Sequence, residues 1–229
     1  MKYLLPLLLL LSSCDLLDPT EGVMLEDVIQ LSAVETELLA DGQDRTELIV
    51  TLGPEASPNQ TVVLTTEQGR FAGALADEPQ QLQLTIPGKE ARVTLIADNR
   101  VGENVTVSAE LSGFTAQQNL TFQRAFPDDM ILSADVLSIT ADKVDFATLT
   151  VELFRSEGVP SDQAKVFFEW ADNGTTATVQ VPPFAFTAGA MATATIRSLN
   201  GQPGEITLTA KVDDGNGGFV ERALLFTLN

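Results

Sequence analysis

The sequence repeats itself once, at a constant offset of 101 positions. The matching segments are Leu31-Ser32-Ala33 with Leu132-Ser133-Ala134, Ala40-Asp41 with Ala141-Asp142, Gly88 with Gly189, and Val105-Thr106-Val107 with Ile206-Thr207-Leu208. A period this long exceeds the roughly 20 to 50 residues of solenoid repeats and matches the size of an ordinary domain. The repeat therefore predicts two domains of one fold, each with its own core.

Within each copy the side chains alternate with a period of two. Apolar residues occupy every second position of segments 48–52 and 105–111, and again of 149–153 and 206–212. This alternation is typical of half-buried strands. Turn sequences such as "ADGQD", "PGKE", "EGVPSD" and "DDGNGG" separate the strands. Short strands at this spacing predict an all-β fold of two β-sandwiches in tandem.

Several of these segments carry a family resemblance. The stretch "LLADGQDRTELIVTL" resembles the opening of bacterial immunoglobulin-like domains of the invasin and intimin type, and "EGVPSDQAKVFF" resembles their Gly-x-Pro turn and following strand. The second copy has Lys143 where the family prefers glycine, and the first copy lacks the Gly-x-Pro turn in "GPEASPNQTVVL". The resemblance covers residues 27–229. It implies immunoglobulin-like sandwiches and a role in adhesion or surface display.

The domain boundary is predicted at "RAFPDD", where Pro127 cannot continue a sheet ladder. The expected organisation is sandwich 1 over 27–124, a linker over 125–129 and sandwich 2 over 130–229. A linker this short favours a rod with limited bending, and a flexible hinge is the alternative.

The N-terminus has the pattern of an export signal. Lys2 precedes nine mostly apolar residues, Tyr3 to Leu11, a run too short to span a bilayer. The following Leu11-Ser12-Ser13-Cys14 resembles the lipobox of bacterial lipoproteins. We therefore expect a signal peptide over 1–13, lipidation of Cys14 and a tether over 14–26; ordinary secretory cleavage is the alternative. The implied location is the bacterial cell envelope, lipid-anchored on the periplasmic face or the cell surface.

Composition restricts the chemistry. The net charge of −19 disfavours nucleic acid, because binding to phosphates needs Lys and Arg. Histidine is absent and Cys14 is the single cysteine, so the common general base, an internal disulfide and a Cys-based zinc site are all missing. We expect no enzyme activity, no catalytic residues and no cofactor apart from the lipid on Cys14.

Two segments are weak candidates for sites. Asp213, Asp214 and Asn216 in "DDGNGG" offer oxygen ligands for Ca²⁺, although the same residues make an ordinary hairpin turn. Trp170 in "VFFEWAD" is a candidate interface residue or stacking platform, and core packing is the alternative.

The leading functional hypothesis is a non-enzymatic, membrane-anchored envelope lipoprotein whose tandem sandwiches act as an adhesion, spacer or protein-interaction rod. The alternative is a ligand-binding module, possibly stabilised by Ca²⁺, for a polysaccharide or a partner in an envelope complex. The chain is expected to be monomeric and to contact the membrane through its lipid. An exposed apolar or aromatic patch would favour the binding module.

Overall fold

The computed structural model describes residues 24–229, which form two sandwiches of nine strands each. A short 3-10 turn, Leu25–Asp27, precedes the first sandwich. Its strands are β1 (Ile29–Ala33), β2 (Glu37–Leu39), β3 (Arg45–Leu52), β4 (Gln60–Thr66), β5 (Arg70–Phe71), β6 (Gln81–Ile86), β7 (Glu90–Ile96), β8 (Gly102–Leu111) and β9 (Phe114–Gln123). The second sandwich contains β10 (Asp129–Ala134), β11 (Ser138–Ile139), β12 (Phe146–Phe154), β13 (Lys165–Asp172), β14 (Val179–Gln180), β15 (Phe184–Phe186), β16 (Met191–Ser198), β17 (Gly204–Asp213) and β18 (Phe219–Leu228).

The two sandwiches have the same topology. In the first, one sheet has the order β1-β3-β7-β5 and the other β2-β9-β8-β4-β6. In the second, the orders are β10-β12-β16-β14 and β11-β18-β17-β13-β15, which is the same arrangement displaced by nine strands. The prediction of two tandem immunoglobulin-like β-sandwiches is confirmed.

The sequence repeat is also a repeat of strand register. Leu31 lies opposite Val50 in the first domain, and Leu132 lies opposite Val151 in the second. Both residues of the second pair lie 101 positions after their counterparts in the first pair. Because a slip of one residue would turn every side chain to the other face, this shared register keeps both inner faces apolar.

Each domain buries a separate core. One cluster of buried side chains lies between residues 28 and 122, and the other between 130 and 228. The alternating positions of segments 105–111 and 206–212 are buried, as the period of two predicts. Each fully buried Val, Leu or Phe stabilises its domain by about 1.5–3 kcal/mol, so each sandwich has its own source of stability.

The copies differ at two places that matter for the site. A two-residue turn, Ser112-Gly113, joins β8 to β9 with both φ angles positive, whereas residues 214–218 join β17 to β18. The edge strand β6 has six residues, but its counterpart β15 has three. Pro182 and Pro183 directly precede β15 and have no N–H to donate, which limits its length.

Candidate functional site

The segment between the domains is held by hydrogen bonds along its length. It runs from the end of β9 at Gln123 to the start of β10 at Asp129. Arg155 donates from Nη1 to the carbonyl oxygen of Phe126 at 2.6 Å. Ser156 donates from its backbone N–H and its hydroxyl to Oδ2 of Asp128, at 2.7 and 2.8 Å. These two bonds lower the pKa of Asp128, because they stabilise its ionised form.

Ser161 is the central residue of the junction and is completely buried. Its hydroxyl donates to the carbonyl oxygen of Ala40 in the first domain at 2.8 Å. The hydroxyl oxygen of Ser161 also accepts the N–H of Ala125 at 2.8 Å. In return, the backbone N–H of Ser161 donates to the carbonyl oxygen of Ala125 at 3.0 Å. One side chain therefore connects the first domain, the linker and the second domain.

The Gly-x-Pro turn of the second domain also contacts the first domain. The N–H of Val159 donates to the carbonyl oxygen of Asp41 at 2.9 Å. Gly158 has φ of +69°, and a Cβ there would lie 2.6 Å from Oδ2 of Asp41. Glycine is needed at this position both for the left-handed backbone and for the close approach.

The corresponding loop of the first domain has a different neighbour. The N–H of Gly53 donates to the carbonyl oxygen of Val28 at 2.9 Å, and that of Glu55 to the carbonyl oxygen of Asp27 at 3.0 Å. This loop packs against the 3-10 turn instead of another sandwich. The difference in neighbour accounts for the missing Gly-x-Pro in the first copy.

In both copies an aspartate accepts hydrogen bonds from the backbone of its own turn. Oδ1 of Asp41 accepts the N–H groups of Gln43 and Asp44 at 2.9 and 2.7 Å. Oδ1 of Asp142 accepts those of Val144 and Asp145, both at 2.9 Å, which lowers the pKa of Asp142. These carboxylates complete turns, as expected for Asp in such positions.

The most unusual surface of the molecule is a group of phenylalanines on the outer face of the second domain. Phe167 of β13 packs edge-on against Phe219 of β18, with ring centroids 6.4 Å apart. Phe184 and Phe186 of β15 pack edge-on against each other at 5.6 Å. Phe184, Phe186 and Phe219 are 41%, 52% and 53% exposed. We call these four residues the phenylalanine surface.

A lysine without an ion pair lies on this surface. The Nζ atom of Lys165 is 4.2 Å from the ring centroid of Phe184 and 4.6 Å from that of Phe167. The neighbouring Lys211 pairs instead with Glu169 at 2.9 Å, which raises the pKa of Lys211. Within residues 24–229, Lys165 has no carboxylate partner, so its N–H donors are available to a ligand.

A groove of about 430 Å³ joins the phenylalanine surface to the linker. Phe167 and Phe186 form one side, and Arg124 and Phe126 form the other. The ring of Phe126 lies against the β17–β18 loop, where a Cβ on Gly215 would come within 2.5 Å of it. The loop that contains the calcium candidates therefore packs against the linker.

The first domain supplies an internal comparison for the phenylalanine surface. Alignment of the strand registers places Thr61 and Val63 at the positions of Lys165 and Phe167, and Gln83 and Thr85 at those of Phe184 and Phe186. The same scaffold thus forms with small and polar residues at these positions. The fold does not require aromatic side chains there.

Of the predicted site residues, Asp213 lies beside this surface: it is opposite Phe219 in the strand register and lines the groove together with Phe167. Trp170 is partly buried against the second core, next to Leu208. Oδ1 of Asp213 accepts the N–H of Gly215, and Oδ1 of Asp214 accepts those of Asn216 and Gly218. Cys14 precedes the described part of the chain. The interface role of Trp170, the calcium candidates and the lipidation of Cys14 stay predictions.

Sequence reasoning missed the phenylalanine surface, although a signal was present. Adjacent Phe167 and Phe168 cannot share a face of a strand, so one of them must point outward. "FAF" at 184–186 places two phenylalanines on one face. The ring contacts of this surface are made by phenylalanine alone.

The described residues show neither a membrane-spanning helix nor a cluster of metal ligands. Residues 24–229 contain no helix that is long and apolar enough to cross a membrane. The same residues contain no group of three or more Cys, Asp or Glu side chains placed to hold a metal ion.

Comparison with known proteins supports the fold. The chain resembles invasin, a bacterial integrin-binding protein, with 23% identity and a TM-score of 0.58 over 88% of this chain and 40% of the invasin chain. It also resembles the adhesin InvE of Yersinia pseudotuberculosis, with 20% identity and a TM-score of 0.55 over 88% of this chain and 58% of that one. The chain spans less than two thirds of both structures. No family model and no curated protein matches it. The sandwiches therefore have the bacterial immunoglobulin-like fold found in these adhesins.

Proposed function

We propose that the chain is a lipid-anchored protein of the bacterial cell envelope whose two sandwiches form a stiff rod with an adhesion or spacer role. The single observation that carries this proposal is the junction around Ser161, which connects Ala40, Ala125 and the second domain through buried hydrogen bonds. A rod keeps a distal surface at a fixed distance from its anchor, whereas a flexible hinge would not.

The physical case for stiffness is the cost of opening the junction. Separating the domains would break the contacts of Ser161, Val159 and Asp162 with the first domain or the linker. Each such hydrogen bond contributes about 0.5–1.5 kcal/mol net, because the separated groups would bond to water instead. Several such hydrogen bonds at the junction between the domains oppose bending. The hydrogen bonds of Arg155 and Ser156 to the linker add to this resistance.

The proposed anchor is the lipobox-like segment that ends at Cys14. Each buried CH₂ of an acyl chain contributes about 0.8 kcal/mol, so two or three chains, as in lipoproteins with such a segment, would give stable attachment. The ten residues from Asp15 to Met24, if extended, reach roughly 35 Å. That length would hold the first sandwich clear of the lipid headgroups.

The proposal is non-enzymatic because the sequence lacks the residues of common catalytic pairs. Histidine is absent, and no Gly-x-Ser-x-Gly elbow accompanies the serines. The resemblance to adhesins points in the same direction. A binding function on the second domain is compatible with this proposal, and the phenylalanine surface favours it.

Membrane fractionation tests the anchor. The wild-type chain should sediment with membranes, and Cys14→Ala should move it to the soluble fraction. Ser13→Ala keeps a small residue beside the cysteine and is the matched control; it should stay with membranes. Globomycin, which blocks the lipoprotein signal peptidase, should lead to accumulation of the unprocessed precursor. Unchanged attachment of Cys14→Ala would exclude the lipid anchor.

A further inference from the structure

We propose that the edge strand β15, together with the phenylalanine surface, binds an extended segment of another protein whose side chains on one face, at every second position, are apolar apart from one acidic residue. The segment would add a strand beside β15. Its apolar side chains would pack on Phe184 and Phe186, and an acidic side chain would pair with Lys165. The inference deepens the proposed function by assigning the partner chemistry of the rod, and rests on it for the cellular setting.

The backbone of β15 supports strand addition. β15 is the terminal strand of its sheet and pairs on one side with β13. The N–H of Phe168 donates to the carbonyl oxygen of Pro183 at 3.0 Å. In an antiparallel ladder the bonded pairs alternate, so Ala185 faces β13 while the N–H and C=O groups of Phe184 and Phe186 face the open edge. These four groups form the template that an added strand requires.

The side chains beside β15 determine which residues the added strand must carry. Phe184 and Phe186 offer an exposed apolar face, and such aromatic anchors commonly dominate binding energy. The Lys165 ammonium lies over two rings and has no carboxylate partner among the described residues. Arg124, across the groove, contacts only the carbonyl oxygen of Asp162, at 3.4 Å. Within residues 24–229 Lys165 and Arg124 form no ion pair, and they line the groove together with Asp213. These two cations beside an apolar face are complementary to a carboxylate among apolar side chains.

The charge of the whole chain argues against a second copy as the occupant. Each chain carries a net charge of −19, so two copies repel one another. A short segment of a different protein avoids most of the long-range repulsion, because charges more than about 8–10 Å away are screened at physiological salt.

The internal comparison indicates that the surface is there for binding. The first domain forms the same strands with Gln83 and Thr85 in place of Phe184 and Phe186. Exposed phenylalanines add no required contact to the fold and increase the risk of aggregation at an open edge. Their presence in only one copy identifies that copy as the binding domain.

A display library of random twelve-residue peptides provides the probe. It is selected on the full chain and counter-selected on the double variant Phe184→Gln and Phe186→Thr, which introduces the first domain's own residues. Enriched peptides should carry apolar residues at every second position, with one Asp or Glu in the same series of positions. Synthetic copies of these peptides are then titrated against each variant by fluorescence anisotropy.

Each variant is expected to change the affinity for the peptide by a different amount. The double variant should weaken peptide binding roughly tenfold or more, as loss of aromatic anchors does. Lys165→Thr should weaken it several-fold and reduce its dependence on salt. The control Gln83→Ala with Thr85→Ala, on the equivalent edge of the first domain, should leave it unchanged. The double variant should also keep the wild-type unfolding temperature, since its residues already suit this scaffold.

A second measurement separates strand addition from simple apolar contact and does not depend on any protein variant. Peptides N-methylated at alternate positions along one edge should lose binding, whereas methylation along the other edge should leave it intact. Equal effects of both methylations would overturn the proposal, because an added strand uses one edge only.

Other outcomes also contradict the proposal. Failure to enrich any peptide, enrichment of basic peptides, or equal binding by the double variant would each exclude this site. Light scattering that shows dimers dissociated by the same double variant would make a second copy the occupant. These assays use no membrane, so a negative result would not contradict the lipid anchor. A negative result in the fractionation experiment would likewise not contradict the binding site.

Discussion

The hydroxyl of Ser161 donates a 2.8 Å hydrogen bond to the carbonyl oxygen of Ala40, 121 residues earlier in the chain. This bond is buried, and the same hydroxyl also accepts the N–H of Ala125. A single serine in a loop thus fixes how the two sandwiches are joined, and its removal has a defined consequence.

Replacement of Ser161 by alanine should lower the free energy of unfolding by about 1–3 kcal/mol, because the Ala40 carbonyl and the Ala125 N–H lose their partner in a buried site. Urea denaturation measures the change. Ser133→Ala is the matched control, since the hydroxyl of Ser133 is exposed and makes one long bond of 3.4 Å. Equal stabilities of the two variants would contradict the role of Ser161.

Gly158→Ala should disrupt the junction through contact as well as through strain. A left-handed backbone costs a non-glycine residue about 1–2 kcal/mol, and here the new Cβ would also meet Asp41 at 2.6 Å. Gly174→Ala is the control, because Gly174 has φ of +81° with nothing within 4 Å of its Cβ position. Thermal unfolding should show the larger loss for Gly158→Ala. Equal losses would mean that backbone strain alone explains the glycine.

Leu48 and Leu149 are equivalent residues of the two copies and are both fully buried. Truncation of either to alanine should cost about 2–5 kcal/mol, because it leaves a cavity in one core. Hydrogen–deuterium exchange should show loss of protection mainly within residues 28–122 for Leu48→Ala and within 130–228 for Leu149→Ala. Equal loss across both ranges for each variant would contradict separate cores.

The second domain should lose stability in acid in part through Asp142. The N–H groups of Asp145 and Val144 lower its pKa in the folded state below the ordinary 3.8. The ionised form therefore stabilises the fold above about pH 3.8, and this contribution disappears as the pH falls through the lower folded-state pKa. Asp142→Asn should flatten the pH dependence of unfolding in this range. An unchanged pH dependence in Asp142→Asn would contradict this role of Asp142.

The repeating elements of the fold could be predicted from sequence because they follow from local rules. Alternation over 48–52 and 149–153 determines which face is buried, and the offset of 101 positions determines the number of domains. The turn around Asp41 and Asp142 follows from residue preferences that act within a few positions. These features depend on near neighbours in sequence, so the sequence alone contains them.

The junction and the phenylalanine surface depend on contacts between distant residues. Nothing near Ser161 in "EGVPSD" indicates that it meets Ala40, because that contact exists only after both domains have folded. Likewise Phe184 becomes an edge residue because Pro182 and Pro183 shorten its strand and because β13 is its single neighbour. Trp170, the aromatic residue that the sequence makes most conspicuous, packs partly into the core instead.

Small-angle X-ray scattering of the full chain tests the central claim, a stiff rod of two sandwiches, most directly. A compact globule of this length has a radius of gyration of about 17 Å. Two sandwiches held by the Ser161 junction should give roughly 22 Å or more, with one interdomain angle fitting the curve, and Ser161→Ala should broaden the range of angles. A radius near that of a globule, or wild-type scattering that requires many interdomain angles, would contradict the account.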